Sequence, residues 1–580
     1  MKKLLIGNAA VARGAYEAGC SVVSSYPGTP STEITESMVE YKEVNVEWAP
    51  NEKVAAEVSI GASMAGARAM SCMKHVGLNV MADPLFTVSY IGVNGGLVFC
   101  VADDPGMHSS QNEQDSRHYA KASKVLMLEP SDSKECKDYT KNAFELSEKF
   151  DTPVILRLST RVSHSQSLVD IEDKEDYQLK DYEKNIGKNV MMPGNAIKRH
   201  VVVEKRHVEE VEFANKSDLN IVENNNNKKI GVITAGISYV YSKEALGDKV
   251  DYLKLGIVNP LPTTLITDFC KKHEVVYIIE ELDPFIEEHV RALGVTNVIG
   301  KDSFTLLGEY TPKMIKKVVL NEEGPEFNEI SETIPMRPPV MCPGCPHRGT
   351  FYVLKKLGLT VSGDIGCYTL GAVAPLQSVD STFCMGASVS AGFGMAKARG
   401  KEFNKKLVSV IGDSTFIHSG ITGLIDIVYN KGANTIIILD NSITGMTGHQ
   451  QNPTTGKTIR MEETAQVNLI KLAEAVGVKR IVVADPFDVK NFEKVVKAEV
   501  EADEPSVIIA QRPCALLKGV KYIGKAEVSD KCKKCKQCMK LGCPAISLVD
   551  GNVIIDKNQC NGCGLCMNVC PFDAIVKVGE

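Results

Sequence analysis

The chain alternates between short apolar runs and longer amphipathic stretches. Three runs are almost continuously apolar, at 275–280 (VVYIIE), 407–411 (LVSVI) and 435–439 (TIIIL). Strands of this kind are usually buried on both faces of a parallel sheet, with helices covering the faces. Helical stretches with small residues on one side separate them, for example 54–70. The pattern predicts an α/β protein built from three-layer parallel sheets.

Changes in composition along the chain indicate where domains end. Residues 186–229 are rich in Lys, Glu and Asn, and residues 321–339 carry acidic residues and four prolines. Runs of this sort resist burial and are typical of connections between domains. A short lysine-containing stretch, 518–525, precedes a cysteine-rich tail. The predicted domains are therefore 1–185, 230–320, 340–520 and 525–580, with linkers at 186–229 and 321–339.

Length and charge narrow the class of protein. The 580 residues are too many for one core, and about 150 residues per domain predicts three to five domains. The 72 acidic and 66 basic residues give a net charge of −6, which does not favour nucleic acid or an anionic membrane as a partner. No apolar run is long enough to cross a bilayer, and the first one breaks at Gly7-Asn8, too early for a signal peptide. We expect a cytoplasmic protein.

The cysteines indicate a metal-binding tail, because eight of the 18 lie between Cys532 and Cys570. They form two motifs, C-x2-C-x2-C-x4-C-P and C-x2-C-x2-C-x3-C-P, and in such pairs each Cys-Pro cysteine binds the cluster of the other motif. A pair of zinc ribbons is the alternative, but zinc sites are built from pairs of cysteines and not from triplets. The pattern is similar to a bacterial two-cluster ferredoxin. It predicts one [4Fe–4S] cluster on Cys532, Cys535, Cys538 and Cys570, and another on Cys543, Cys560, Cys563 and Cys566.

Lysines are interleaved with the first of these motifs, and they have two interpretations. A run of charges is usually a solvated surface. It can also be a docking surface for an acidic electron carrier, with an attraction that salt weakens. The lysines concerned are Lys531, Lys533, Lys534, Lys536 and Lys540.

Polar residues follow two of the predicted strands. Gly412-Asp413-Ser414 comes directly after one strand, and Asp440-Asn441 ends the next. Ligands of parallel sheets bind at the carboxyl ends of strands. A carboxylate and an amide oxygen suit Mg²⁺, and the small residues let a diphosphate approach the following helix N-terminus. The alternative is an ordinary turn.

Longer motifs indicate a family. The spacing from Gly412-Asp413 to Asn441 resembles the thiamine diphosphate motif. The segments 441–456 (NSITGMTGHQQNPTTG), 342–345 (CPGC) and 363–367 (GDIGC) resemble the 2-oxoacid:ferredoxin oxidoreductases, over essentially the whole chain. The form CPGCPHRG and the fused tail are most similar to the members that act on aryl-pyruvates. Thr444 and His449 replace the tyrosine and the second glycine of the family segment.

The resemblance implies a set of site residues. Asp413, Asn441 and the backbone oxygen of Ile443 would bind Mg²⁺. Glu52 would contact the pyrimidine N1′ of thiamine diphosphate, with Glu57 as the alternative, and Thr29 in YPGTPSTE would lie beside the substrate. The cofactor-binding residues would be Gly412, Asp413, Ser414, Asn441, Ile443, Thr447 and His449. From its chemistry alone, Arg117 is a candidate for binding the substrate carboxylate.

A third cluster is left open. In relatives of this family, equivalent cysteines hold a cluster near the thiamine ring, whereas a CxxC pair can also be purely structural. The candidate ligands are Cys342, Cys345, Cys367 and Cys514.

The activity implied by the resemblance is oxidative decarboxylation of an aryl-pyruvate such as indolepyruvate. Coenzyme A would accept the acyl group and ferredoxin the electrons. We expect a small second subunit, in an αβ or (αβ)2 assembly, and a transketolase C-terminal-like fold for 230–320. The alternatives are the same chemistry on pyruvate or 2-oxoglutarate, a non-catalytic electron-relay subunit, and a non-oxidative synthase or decarboxylase.

Overall fold

The computed structural model describes residues 1–323, 331–335 and 338–579. The chain divides into two compact units, Met1–Ser331 and Glu332–Glu580. The predicted linker at 321–339 lies partly outside the described residues. No helix in the described ranges is long and apolar enough to cross a bilayer.

The first unit contains fourteen strands and fourteen helices among its described residues. The strands are β1 (Lys2–Ile6), β2 (Val22–Ser25), β3 (Asn45–Trp48), β4 (Ala69–Lys74), β5 (Leu97–Asp103), β6 (Leu126–Leu128), β7 (Val154–Ser159), β8 (Gln166–Asp170), β9 (Ile221–Glu223), β10 (Ile230–Ala235), β11 (Asp251–Leu255), β12 (Ile257–Asn259), β13 (Val275–Ile279) and β14 (Val298–Ile299). The helices are α1 (Gly7–Glu17), α2 (Thr32–Met38), α3 (Glu52–Met64), α4 (His75–Val80), α5 (Ala82–Ile91), α6 (Arg117–Ser123), α7 (Ser133–Phe150), α8 (Thr160–His164), α9 (Ile186–Asn189), α10 (Pro193–Lys216), α11 (Gly236–Leu246), α12 (Thr263–Cys270), α13 (Phe285–Ala292) and α14 (Pro312–Leu320).

Two large sheets organise this unit. The seven-stranded sheet has the order β12-β6-β7-β5-β4-β2-β3 and is parallel except for β12. The five-stranded sheet has the order β14-β13-β10-β11-β9 and is parallel except for β9. The segment predicted as a separate domain, 230–320, supplies most of the second sheet, yet its strand β12 pairs with β6 of the first. One apolar core is shared by residues of both sheets.

Two predictions about elements were wrong. The predicted linker at 186–229 is mostly the long helix α10, whose residues Val203, Arg206, Glu210 and Ala214 are buried at helical spacing. Its high content of Lys and Glu hides that narrow buried stripe in the sequence. The helix predicted for 54–70 is α3, which ends at Met64, because Gly66 takes a left-handed backbone (φ +99°) and β4 begins at Ala69.

The second unit contains a five-stranded sheet and the cysteine-rich tail. Its strands are β15 (Thr360–Ser362), β16 (Leu407–Gly412), β17 (Thr435–Asp440), β18 (Arg480–Ala484), β19 (Ser506–Gln511), β20 (Lys525–Val528), β21 (Ile546–Val549), β22 (Asn552–Ile555) and β23 (Ile575–Val578). Its helices are α15 (His347–Leu357), α16 (Ala387–Arg399), α17 (Lys401–Asn404), α18 (Asp413–Thr415), α19 (Ile421–Tyr429), α20 (Leu469–Ala475), α21 (Val489–Val500) and α22 (Leu565–Asn568). A π-helical turn covers Phe416–Gly420, and 3-10 helices cover Cys367–Ala372 and Gln537–Leu541.

The five strands are all parallel, in the order β15-β16-β17-β19-β18. The pairs β20–β23 and β21–β22 are antiparallel and belong to the tail. The strands predicted at 407–411 and 435–439 are β16 and β17, and they are direct neighbours in which Gly412 lies opposite Leu439. The residues that follow these two strands therefore come out at the same edge of the sheet.

Candidate active site and cysteine clusters

The loops after β16 and β17 bring together the residues predicted to bind magnesium. One end of the Asn441 side-chain amide lies 3.3 Å from Oδ1 of Asp413 and 2.7 Å from the carbonyl oxygen of Ile443. With nitrogen at that end, the amide donates hydrogen bonds to both oxygens. With oxygen at that end, three oxygen atoms converge, which is the arrangement that a cation requires.

The spacing of these oxygens fits Mg²⁺. Ligands about 2.0–2.1 Å from the ion at adjacent corners of an octahedron are about 2.9 Å apart, and the two observed distances lie on either side of that value. Asp413 is only 2% exposed. Burial, and then the nearby Asp440, raise the pKa of the Asp413 carboxyl to about 7. A cation at this point would keep the Asp413 carboxylate ionised. The residues present therefore fit Mg²⁺.

The sequence motifs did not predict a role for Thr454 at this site. Its hydroxyl donates to Oδ2 of Asp413 over 3.1 Å, and its own backbone is held by the side chain of Asn452. The second oxygen of Asp413 is thus occupied, which leaves Oδ1 to face Asn441. The family segment 441–456 contains Thr454, but the spacing alone does not show which of its hydroxyls faces the carboxylate.

Gly412 packs against an aromatic ring. A Cβ atom at Gly412 would lie 2.7 Å from Cε1 of Tyr368, so this side of the glycine is filled by an aromatic ring. The hydroxyl of Tyr368 donates to the carbonyl oxygen of Ile365 over 2.8 Å. Gly412 therefore lets the 3-10 helix that begins at Cys367 pack directly against the end of β16.

The loop from Asn441 to His449 lies against two cysteines. The Sγ atom of Cys367 is 3.5 Å from the position that a Cβ would take at Gly445. The backbone N–H of Cys514 donates to the carbonyl oxygen of Asn441 over 3.0 Å, and Nε2 of His449 lies 3.8 Å from Sγ of Cys514. The side chain of His449 thus points at a cysteine. Thr447, in the same loop, donates to Gln450 over 2.6 Å.

Four cysteines form what we call the inner set: Cys342, Cys345, Cys367 and Cys514. Burial, then the neighbouring thiolates of Cys514 and Cys342, raise the pKa of Cys367 to about 11. Burial, and after it Cys367 and Cys342 among the neighbours, raise the pKa of Cys345 to about 12. The structure thus brings these cysteines close enough for their charges to interact. Such proximity is unfavourable for free thiolates and suits a shared iron–sulfur cluster.

The eight cysteines of the tail fall into the two groups that the motifs predict. The middle set lines one cavity and the outer set lines another. The proline after the last cysteine of the outer set, Pro571, lines the same cavity as that set. The middle set is Cys543, Cys560, Cys563 and Cys566, and the outer set is Cys532, Cys535, Cys538 and Cys570.

Contacts establish the order of the three sets. Asn561, between two cysteines of the middle set, donates to the carbonyl oxygen of Pro343 in the inner set's CPGC over 3.0 Å. Cys566 of the middle set is near enough to Cys538 of the outer set for the two thiols to interact electrostatically. Cys535 of the outer set is exposed to solvent. The sets therefore run from the loop at Asn441, through the middle of the unit, to its surface.

Arg348 joins the inner set to the middle set. The sequence motifs did not predict this role. Its buried guanidinium donates to the carbonyl oxygens of Cys342 (3.1 Å), Leu541 (2.8 Å) and Gly542 (2.6 Å), and also to that of Met341. Leu541 and Gly542 belong to the loop that is one residue longer than the ferredoxin pattern. The arginine holds this longer loop in place before Cys543.

Lysines surround the outer set. All five lysines interleaved with the first cysteine motif are exposed, and none has an ion-pair partner among the residues that the structure describes. They lie within a few residues of the exposed Cys535. We call this surface the lysine face; it consists of Lys531, Lys533, Lys534, Lys536 and Lys540.

In the first unit, Thr29 lies in a turn between β2 and α2 that is tied to the start of the chain. The side chain of Asn8, at the beginning of α1, donates to the carbonyl oxygen of Pro30 over 2.6 Å and to Glu33 over 2.9 Å. The hydroxyl of Ser31 donates to the carbonyl oxygen of Gly28 over 2.8 Å. The half-buried Thr29 is thereby fixed in position.

Glu52 is the first residue of α3, and its side chain is buried. A Cβ at Gly77 of α4 would lie 2.7 Å from both Cγ and Oε1 of Glu52, so the carboxylate uses the space that this glycine leaves. Glu57, the alternative candidate, is exposed and pairs with Lys53. Burial therefore favours Glu52 over Glu57 for contact with a cofactor.

The contacts of Arg117 speak against its expected role. Its guanidinium is 1% exposed and donates to Asp115, to Oε2 of Glu280 over 2.5 Å, and to the carbonyl oxygens of Glu281 and Asp283 over 3.1 Å. Two carboxylates already balance its charge. Arg117 joins the two large sheets of the first unit, so it is a structural residue here and not a ligand for a substrate carboxylate.

Comparison with known proteins gives three matching family models. Residues 13–232 match "Pyruvate flavodoxin/ferredoxin oxidoreductase, thiamine diP-bdg". Residues 364–510 match "Thiamine pyrophosphate enzyme, C-terminal TPP binding domain", and residues 553–576 match "4Fe-4S binding domain". The first match includes the whole of the predicted linker at 186–229, in agreement with the helix α10 found there.

Relatives match over the full chain. The indolepyruvate oxidoreductase subunit IorA of Archaeoglobus fulgidus is 41% identical, covering 99% of this chain and 97% of that protein. The IorA subunit of Pyrococcus horikoshii is 40% identical, covering 100% and 97%. The chain belongs to the IorA family of indolepyruvate oxidoreductase subunits. A solved 2-oxoglutarate:ferredoxin oxidoreductase from Magnetococcus marinus aligns over 55% of this chain and 65% of its own, with 20% identity and a TM-score of 0.48.

Membership of the IorA family confirms several predictions. The chain is an oxidoreductase subunit with thiamine diphosphate-binding domains, iron–sulfur clusters and a ferredoxin-like tail. Its α/β fold is also as predicted. The roles of individual residues rest on the geometry given above.

Proposed function

We propose that this chain is the catalytic subunit of an enzyme that oxidatively decarboxylates aryl-pyruvates such as indolepyruvate. Coenzyme A takes the acyl group, carbon dioxide leaves, and ferredoxin takes the electrons. One observation carries the proposal: the loop that contributes Asn441 and Ile443 to the magnesium site also contacts Cys367 and Cys514 of the inner set. The names of the relatives support the substrate class.

The chain's own residues prepare the cofactor site. Bound thiamine diphosphate supplies a carbon nucleophile and a temporary store for the electron pair released on decarboxylation. Asp413, Asn441 and the Ile443 carbonyl would hold Mg²⁺, whose charge would neutralise a diphosphate, and the Thr454 hydroxyl fixes the Asp413 carboxylate. Glu52 would share a proton with the pyrimidine N1′, and the packing of its carboxylate against Gly77 holds that carboxylate in place.

The cysteines hold the electron acceptors. Twelve cysteines in three adjoining sets are enough for three [4Fe–4S] clusters, and clusters of this type can have the low reduction potentials that ferredoxin reduction needs. Because the inner set lies against the cofactor loop and the outer set lies at the surface, the three sets form a continuous route. We propose that the inner set holds a third cluster.

The partners follow from this arrangement. The lysine face next to the outer set suits an acidic ferredoxin, since opposite charges steer association. We propose that the chain works in the cytoplasm with a small second subunit, in an αβ or (αβ)2 assembly. Thiolate-bound clusters are best preserved in such a reducing compartment.

The test is an anaerobic assay of the complete enzyme with a panel of 2-oxoacids and a viologen dye. We expect dye reduction that depends on coenzyme A and is fastest with aryl-pyruvates. Activity confined to pyruvate or 2-oxoglutarate would overturn the substrate class. An aldehyde formed without reduced dye would indicate a decarboxylase, and purified protein without thiamine diphosphate would indicate an electron relay.

Metal analysis tests the third cluster. About twelve irons per chain are expected with three clusters and about eight with two. Cys367→Ser should lower the iron content by about four per chain and abolish dye reduction. Cys384→Ser is the matched control, because Cys384 is exposed and belongs to none of the three sets. An unchanged iron content in Cys367→Ser would contradict the assignment.

A further inference from the structure

Three lysines are buried in the described part of the chain, and one of them lacks a counter-ion. Lys137 lies 3.3 Å from Glu17 and 3.2 Å from Asp138, and Lys254 pairs with Glu135. Lys74 is 7% exposed, and among the described residues no carboxylate oxygen lies within ion-pair distance of its Nζ. Its Nζ donates a hydrogen bond to a neutral group, the carbonyl oxygen of Ser109.

The acidic residue whose charge acts on Lys74 is already hydrogen-bonded to other groups. Asp104 accepts hydrogen bonds from the backbone N–H of Ser109 over 2.9 Å and from the hydroxyl of Ser110 over 2.5 Å. It also accepts one from the hydroxyl of Thr160 over 2.6 Å. The neighbouring His75 adds no negative charge. Burial, and then the charge of Lys74, lower the pKa of the His75 imidazole to about 4, so the His75 ring is neutral.

The His75 ring contains a second unsatisfied group. His75 is 1% exposed, its Nε2 lies 3.2 Å from the hydroxyl of Ser110, and its Nδ1 has no hydrogen-bond partner in the described ranges. Burial also lowers the pKa of Lys74 to about 8, although the charge of Asp104 acts in the opposite direction. Buried polar groups are normally paired, and a buried cation without a partner is costly. Such a cluster is typical of a site whose ligand is an anion.

The position of Lys74 places it beside the residues assigned to substrate and cofactor. Lys74 ends β4, and its Cβ lies 3.1 Å from the position that a Cβ would take at Gly28, next to Thr29. Three residues further along the same junction, Gly77 packs against the carboxylate of Glu52. The junction between β4 and α4 therefore contacts both the Thr29 turn and Glu52.

We propose that Lys74 binds the carboxylate of the 2-oxoacid substrate. The proposal rests on the proposed function and fills the role that Arg117, already neutralised by two carboxylates, does not. The carboxylate supplies the missing counter-charge. When the bond between the carboxylate carbon and the carbonyl carbon breaks, the electron pair stays on the carbonyl carbon and neutral carbon dioxide leaves, so the ion pair exists only before that step.

The ion pair with Lys74 belongs to the bound substrate, and its loss should therefore weaken substrate binding more than it slows turnover. In the complete enzyme, Lys74→Met should raise the KM for the aryl-pyruvate by about 10- to 100-fold, as expected for a hydrogen bond to a charged group. The kcat should change by less than about 3-fold. The KM for coenzyme A and the bound thiamine diphosphate should not change.

A pair of inhibitors separates recognition of charge from general damage. The 2-hydroxyacid analogue of the substrate carries the carboxylate, and its amide is neutral with nearly the same shape. Lys74→Met should weaken inhibition by the hydroxyacid about as much as it raises the KM, and should leave inhibition by the amide unchanged. Equal weakening of both would mean a structural role and would overturn the proposal, as would no weakening of either.

Lys254→Met is the matched control, because Lys254 is as buried as Lys74 but has its own carboxylate partner. It should lower stability and leave the ratio of the two inhibition constants at the wild-type value. If Lys74→Met does not fold, Lys74→Gln replaces it, with the same expected ratios. If the wild-type enzyme fails to reduce dye with every 2-oxoacid tested, the proposed function itself is refuted. If the wild type is active and the Lys74 variants keep its KM and inhibition constants, only the role of Lys74 is refuted.

Discussion

Buried charged residues in this chain differ in where their counter-charge comes from. Arg117 and Lys137 are neutralised by carboxylates of the chain itself. Lys74 and Arg348 are buried beside neutral carbonyl groups, and Arg348 has the cysteines of two sets as its nearest sources of negative charge. Because an uncompensated buried charge is costly, the second kind indicates places where a bound anion or anionic cluster belongs.

The contact between Gly77 and Glu52 gives a prediction about the cofactor. In Gly77→Ala the new methyl group would meet Cγ and the carboxylate of Glu52, so the Glu52 side chain must move. A displacement of about 1 Å at a catalytic group can cost about 100-fold in rate. We expect the thiamine diphosphate-dependent rate to fall by at least about 10-fold, measured by dye reduction with cofactor titration.

Gly61→Ala is the matched control for that variant. Gly61 lies inside α3, and nothing lies within 4 Å of the position of its Cβ. Alanine is favoured over glycine by up to about 1 kcal/mol inside a helix, so this variant should be at least as stable as the wild type and fully active. Wild-type activity in Gly77→Ala would show that Glu52 is not the residue that matters.

Glu281 gives a prediction about pH. Burial raises the pKa of this carboxyl from 4.5 to about 7 in the folded protein, although the Tyr310 N–H donates to it over 2.8 Å. A carboxyl whose pKa is raised by folding stabilises the fold below pH 4.5, and this contribution is lost as the pH rises through 7. Glu281→Gln cannot ionise, so between pH 5 and pH 8 the wild type should lose up to about 3 kcal/mol relative to the variant.

Urea unfolding of the whole chain at several pH values measures that difference. The exposed Glu57 provides the control, since Glu57→Gln should follow the wild-type profile across the same range. A Glu281→Gln variant whose stability runs parallel to that of the wild type at every pH would contradict the assignment.

Single residues also show how far the sequence alone can lead. The cysteine sets of the tail were predictable, because cluster geometry fixes the spacing of the ligands along the chain. The roles of Lys74 and Arg117 were not predictable. In a sequence, a charged residue that pairs with another part of the chain cannot be distinguished from one that binds a ligand. Only the positions of Asp115, Glu280 and Asp104 in the fold separate the two cases.

At the scale of elements, prediction succeeded where the pattern was uniform. The strands β16 and β17 are apolar throughout, and their adjacency places Asp413 and Asn441 together. Helix α10 was missed, since its exposed surface dominates its composition and only one narrow stripe, including Val203 and Ala214, is buried. The family match over 13–232 includes that helix, so it belongs to the domain it packs on.

The contact between α15 and the 3-10 helix at Gln537–Leu541 gives a prediction about cluster retention. Arg348→Met removes the donor to four carbonyl oxygens, and each buried acceptor left unpaired costs about 1–3 kcal/mol. We expect faster iron release to an anaerobic chelator, with about four irons per chain lost first, from the middle set. Iron analysis and electron paramagnetic resonance measure this.

Arg399→Met provides the comparison for Arg348→Met, because Arg399 ends α16 on an exposed surface of the same unit. It should release iron at the wild-type rate. Equal rates in both variants would mean that the longer loop before Cys543 holds its own shape without Arg348.

At the scale of the whole molecule, the second unit runs from a cofactor loop to a charged surface. If the lysine face receives an acidic ferredoxin, ferredoxin reduction should slow steeply with salt, since the Debye length falls from about 30 Å at about 0.01 M to about 3 Å at about 1 M. Reduction of a small viologen dye should change little. Lys531→Gln, Lys533→Gln and Lys540→Gln together should flatten the dependence for ferredoxin.

The control for the lysine face is a pair of exposed lysines on α21, Lys490 and Lys494, which lie outside the tail. Their double change to glutamine should leave the salt dependence at its wild-type slope. A slope unaltered by the lysine-face variant as well would mean that ferredoxin docks elsewhere.

The exposure of Cys535 has a consequence for how oxygen inactivates the protein. Oxygen should reach the outer set first, because Cys535 is exposed whereas the cysteines of the inner set are buried or half-buried. A partly oxidised preparation, with dissolved oxygen as the electron acceptor, should therefore still decarboxylate its oxoacid after it has stopped reducing ferredoxin. The damage would show as a gap between carbon dioxide released and ferredoxin reduced, and that gap should widen with every hour of exposure.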